Sequence, residues 1–161
     1  MKMKALFVVL VLVLGSLGLN AAEKKLGIMW IGKSGMAKRV FAGLEKQLTA
    51  KAPGMKVEVV KELADADAAT PVYQKWLKEK DGIVFLRSNG AKYMAKNAPT
   101  IPAFVGGCNH PVNLGAMKNM EAPEGKITGV TYFLKASQHL KLYKKIMPQL
   151  KSVGLITEVG H

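Results

Sequence analysis

Leu26-Gly-Ile-Met-Trp-Ile31 is followed by Gly32-Lys-Ser-Gly35 and then by apolar residues at Met36, Val40, Leu44 and Leu48. The first run is short and uninterrupted, as in a strand covered on both faces. The second recurs every four positions, as in an amphipathic helix over Met36–Lys51, flanked by Ala37 and Phe41 and stopped by Pro53-Gly54. Strand, glycine turn and helix open an α/β unit, and the rest of the chain follows from that start. Gly27 to Ser34 also spells G-x-x-x-x-G-K-S, the phosphate-loop pattern. That loop must wrap phosphate with inward N–H groups, whereas its four middle residues here, Ile28 to Ile31, are the strand itself. The turn keeps a milder capacity, since free N–H groups at a helix start can hold a carboxylate.

The same alternation continues along the chain. Strands are expected at Lys56–Val60, Asp81–Leu86, Pro102–Val105, Ile127–Phe133 and Ser152–Ile156. Thr70-Pro71 reads as an N-cap followed by proline at the first helical position, opening a helix with Val72, Tyr73, Trp76 and Leu77 inward. Further helices are expected at Gly90–Asn97, shortly before Met120, and at Gln138–Ile146, the last capped by Ser137. Connections of this length suit crossovers better than hairpins. They imply an open, mainly parallel sheet with helices on both faces. Ligands of such sheets bind beyond the carboxyl ends of the strands, where the strand order reverses. The informative loops are then Gly32–Gly35, Arg87–Gly90 and Gly106–Asn113.

Composition narrows the function classes. The 161 residues are 49% hydrophobic, which excludes a disordered tail, and a single cysteine excludes an internal disulfide framework or an all-cysteine zinc site. The formal charge of +13 is spread along the chain. Lys46, Lys75, Lys78, Lys141, Lys144 and Lys145 fall on polar helix faces, so solvated surfaces explain them without a nucleic-acid partner. At the start, Lys2 and Lys4, the uncharged run Ala5–Leu19 and small residues up to Ala22 have the order of a secretory signal peptide. That run is shorter than the roughly 20 residues of a comfortable membrane span. Residues 1–22 are therefore expected to be cleaved, with an uncleaved tether as the alternative.

Three constellations invite chemistry. Ser88 and Asn89 can cap the helix after the third strand, and the same side chains can also bond a small ligand. Cys108-Asn109-His110 suggests a nucleophile or a metal ligand. Neighbours in an extended loop point opposite ways, however, so a buried or incidental thiol competes, with Asn109 and His110 as ligand contacts. Met117 and Met120 raise copper capture, against which stands ordinary core filling.

The segments Asn109-His-Pro-Val-Asn-Leu-Gly-Ala-Met117, Pro123-Glu-Gly-Lys-Ile-Thr-Gly-Val130 and Lys145-Ile-Met-Pro-Gln-Leu-Lys-Ser-Val-Gly-Leu-Ile156 occur in this order. In that order the chain resembles the substrate-binding proteins of ABC transporters, in particular the group linked to tryptophan and other aromatic amino acids. The resemblance implies two α/β lobes joined by a hinge that close on a ligand. Carried over position by position, it puts Gly32, Lys33, Ser34, Ser88, Asn89, Asn109 and His110 on the cleft wall of the first lobe. It implies residues 23–130 as that lobe and 131–161 as the hinge crossover and incomplete start of a second, so that the chain is a fragment or a truncated relative. The family's Thr-Asp stands here as Asn109-His110, which removes an acidic group. The implied function is capture of a small organic solute, with amino acids among the candidates, outside the cytoplasm (periplasmic after cleavage) for an ABC importer permease. No catalytic group, cofactor, metal or nucleic acid is involved, and membrane contact comes only through the importer or an uncleaved leader. The alternative is a single-domain envelope module that binds a protein or an anionic partner. Trp30 would stack on an aromatic ligand only if it pointed out of the sheet, and a core position is expected.

Overall fold

A computed structural model describes residues 23–154 and 156. The leader at 1–22, Leu155 of the expected sixth strand, and residues 157–161 lie outside the described residues. Five strands form one sheet in the order β2-β1-β3-β4-β5, parallel throughout: β1 Lys25–Ile31, β2 Lys56–Leu63, β3 Gly82–Leu86, β4 Ala103–Cys108 and β5 Ile127–Thr131. The helices are α1 Gly35–Lys51, α2 Ala66–Glu79, α3 Arg87–Lys96 and α4 Ala136–Ile146.

The alternation of side chains along β1 divides the core. Ile28 and Trp30 face α1 and pack with Ala37, Phe41, Val84 and Leu86. Met29 and Ile31 face the other side, with Tyr73 and Trp76 of α2, Tyr93 and Met94 of α3, and Ala116 of the β4–β5 loop. Both faces of β1 and β3 are therefore covered, which is why their sequences read as continuous apolar runs. Trp30 is 1% exposed, with its ring centroid 5.6 Å from that of Phe41, so it belongs to the core. Gly27 lies inside β1. A Cβ there would meet the Trp76 ring at 2.3 Å, so this glycine serves packing and not a phosphate turn.

Several local expectations change. The buried line of α1 runs through Ala37 and Phe41, with Val40, Leu44 and Leu48 beside it and Met36 exposed. α2 starts at Ala66, because Asp65 caps it by accepting the Ala68 N–H at 2.8 Å. Thr70 and Pro71 thus sit inside the helix, and Thr70 Oγ1 donates back to the Ala66 carbonyl at 3.0 Å. α3 starts at Arg87 rather than Gly90, so Ser88 and Asn89 are in its first turn and neither caps it. β4 passes through Gly106-Gly107 to Cys108, and turns replace the helix expected before Met120. Ser137 lies within α4, whose first residue is Ala136. The expected sixth strand does not form over Ser152–Gly154, where no neighbouring strand pairs with it.

Candidate functional site

In the order β2-β1-β3-β4-β5 the chain steps from β1 to one side and then crosses to the other. The topological switch therefore lies between β1 and β3. At its rim, Gly32 adopts φ +74°, a left-handed conformation that glycine takes without steric cost, and its N–H donates to the Leu63 carbonyl at 2.7 Å. The turn aims α1 so that Ser34 Oγ accepts the Ala37 N–H at 3.2 Å. Ser34 keeps its hydroxyl proton, and the N–H groups of Gly35 and Met36 in the first helical turn have no intrahelical acceptor. Lys33 is exposed beside them.

The β3 loop joins this turn through Arg87, whose Nη1 donates to the Ile31 carbonyl at 3.3 Å. Ser88 joins the β4 loop: its Oγ accepts the Asn109 N–H at 3.1 Å and still has a proton to give. Thr131 at the end of β5 closes the chain of contacts. Its Oγ1 lies 2.8 Å from the Cys108 carbonyl and 3.0 Å from that of Asn109, and accepts the Phe133 N–H at 2.9 Å. Phe133 packs edge-on against His110, with centroids 4.5 Å apart. His110 Nδ1 accepts the Asn113 N–H at 3.4 Å, which leaves Nε2 as the hydrogen-bearing nitrogen of the neutral ring.

Of the seven residues expected from sequence, six therefore lie on one connected rim: Gly32, Lys33 and Ser34 after β1, Ser88 after β3, and Asn109 and His110 after β4. Asn89 lines an adjoining groove at the same end of the sheet, between α2 and α3, with Ile31, Asp65, Thr70 and Lys92. Sequence reasoning missed Arg87, Thr131 and Phe133. The signal for Arg87 was a cation wedged between a buried strand and a helix start.

Glu62, at the neighbouring end of β2, is paired with Lys38 Nζ at 2.9 Å, and that contact holds its carboxyl below the ordinary carboxylate range. Cys108 is 1% exposed, and burial pushes its thiol up, which disfavours the nucleophilic thiolate and matches the reading of a buried thiol. Among the described residues no group of three His, Cys, Asp or Glu side chains is placed to hold a metal, and no helix is long and apolar enough to cross a membrane. An apolar cavity of about 290 Å³ lies at the other end of the sheet, lined by Phe41, Leu48, Met55, Val57 and Val59, away from the rim.

The result is a parallel α/β sheet with a polar rim at its switch point, the place where open sheets of this kind bind ligands. A family profile described as ABC transporter substrate binding protein matches residues 35–161, and the chain belongs to that family. It is 24% identical over 139 residues to a tyrosine-binding protein of Clostridioides difficile, a match spanning 83% of this chain and 40% of that one. Among solved structures it is similar to an ABC domain in complex with L-Trp from Streptococcus pneumoniae (TM-score 0.66, 20% identity, 81% of this chain and 45% of that one). It is also similar to a ligand-free, open substrate-binding protein with adhesive properties from Clostridium difficile (TM-score 0.68, 21% identity, 78% and 44%). The chain thus spans less than half the length of these relatives. They are binding proteins, and substrate-binding proteins of ABC transporters generally work outside the cytoplasm.

Proposed function

We propose that the chain is the first lobe of an exported solute-binding protein that captures a small organic solute for an ABC importer. The carrying observation is the single hydrogen-bonded rim that joins the loops after β1, β3, β4 and β5. Ser34 and Ser88 keep hydroxyl protons for ligand acceptors, and Asn109 offers an exposed side-chain amide. Residues 23–130 form the lobe in this reading, and the stretch from Thr131 crosses to a second lobe that supplies the other wall. Ligand contacts on both walls would then shift an open–closed equilibrium toward the closed form, with no covalent step. The names of the relatives make an amino-acid-like solute the first class to try. Export relies on cleavage of the leader at 1–22, and the partner is the importer permease.

The test is mass spectrometry of small molecules released from the natural protein isolated from the cell envelope. A stoichiometric solute is expected, and it should fall sharply in the double variant Ser88→Ala/Asn109→Ala. A protein that carries and binds no small solute would contradict the reading. One observation favours a second reading, an envelope interaction module: α4 has no buried residue and carries Leu140, Leu142, Tyr143 and Ile146 exposed. A salt-sensitive protein partner captured without any solute would support it.

A further inference from the structure

The rim carries cations whose obvious partners are engaged elsewhere. The half-buried Arg87 guanidinium reaches across the switch point, and the hydrogen bond it makes is to the Ile31 carbonyl at 3.3 Å. Among the described residues no carboxylate lies within ion-pair distance of it or of Lys33. Of the acids at this end of the sheet, Glu62 is held by Lys38 and Asp65 accepts the Ala68 N–H, while Asp67 stands in the first turn of α2, in the groove it shares with Ile31 and Asn89. Arg39 adds a third cation, with Nη1 3.8 Å from where a Cβ on Gly35 would lie. A guanidinium is a planar fork of five donors, and here most of them are uncommitted. Arg87 also holds φ +70°, a left-handed conformation that strains an arginine and suits a glycine. Stability alone would favour glycine at this position, so the strained arginine points to a role for its side chain.

We propose that Arg87 is the specificity-determining residue of this wall, and that it selects a solute presenting a planar anionic group such as a carboxylate. The inference rests on the solute-capture reading and sharpens it. Through Arg87 the wall recognises the anionic end of the solute, so the selectivity this residue sets is for the acid group. The paired-oxygen geometry of a carboxylate matches the guanidinium fork, as a spherical anion does not.

The experiment is an NMR titration of the ¹⁵N-labelled full chain with sodium acetate, using sodium chloride as the ionic-strength control and glycine as a zwitterionic probe. Acetate should shift the N–H signals of Gly32, Lys33 and Ser88 and the Arg87 Nε–H saturably, and chloride at equal ionic strength should not. Arg87→Gly relieves the backbone strain, so its Tm should equal or exceed that of the parent while acetate affinity falls about tenfold or more. Arg87→Lys, which lacks the fork, should recover only part of the affinity. Equal acetate shifts in the parent and in Arg87→Gly, or no saturable acetate shift at these loops, would overturn the proposal. Shifts at the same loops from glycine but not from acetate would also overturn it while leaving solute capture by this rim intact. Loss of every response at the rim, to glycine and acetate alike, would count against both.

Discussion

The sheet lobe and α4 have similar sequence patterns but different surroundings. α2 and α4 both place apolar residues three and four apart. In α2, Ala69, Tyr73 and Trp76 are buried against the sheet, whereas α4 buries none of its residues. Tyr73 packs edge-on against Tyr93, with centroids 5.1 Å apart, and its hydroxyl donates to the Asn97 carbonyl at 2.8 Å. In α4 the Ile146 side chain is 69% exposed. Periodicity therefore specifies a face, and only a partner surface turns that face into core. The relatives this chain matches are more than twice as long as the portion it spans.

The largest contrast between the two regions should appear on truncation of a core side chain. Phe85 is fully buried between Tyr73 and Tyr93, so Phe85→Ala should cost about 3–5 kcal/mol in denaturant unfolding. Ile146→Ala in the same 161-residue chain should stay within about 0.5 kcal/mol. A comparable loss from both variants would break the comparison and show that α4 is packed. A smaller contrast lies at the helix starts. Asp65→Ala removes the bond to the Ala68 N–H and should cost about 1 kcal/mol, while Ser137→Ala, inside α4, should leave the melting curve in place. If the Ser137 variant lost as much, the start of α4 would need to be redrawn.

The fold was legible where one face of an element decides its environment. β1 and β3 are continuous apolar runs because both of their faces are covered, and the parallel α/β class follows from their alternation with helices. Helix starts were less legible. Thr70-Pro71 has the form of a cap, but the alanines before it extend α2 back to Asp65, whose carboxylate bonds the Ala68 N–H more locally. Of the strand expected at Ser152–Ile156, the described stretch Ser152–Gly154 is unpaired for a tertiary reason, since an apolar run becomes a strand only beside another strand. The site was legible to the extent that topology sends the loops after β1, β3 and β4 to one rim. Asn89 lines the adjoining groove with Ile31 and Asp65, because α3 begins three residues earlier than Gly90 and carries Asn89 in its first turn. Thr131 and Phe133 were hidden because their roles come from β4–β5 pairing, which joins positions 22 and 23 residues apart.

Hydrogen exchange of the natural protein, with and without its co-purified solute, tests the central claim most directly. Slowed exchange confined to Gly32–Gly35, Arg87–Asn89 and Asn109–Asn113 is the result expected if these loops form the capture wall. Slowing confined instead to the opposite end of the sheet, around Leu48, Met55 and Val57, would contradict it.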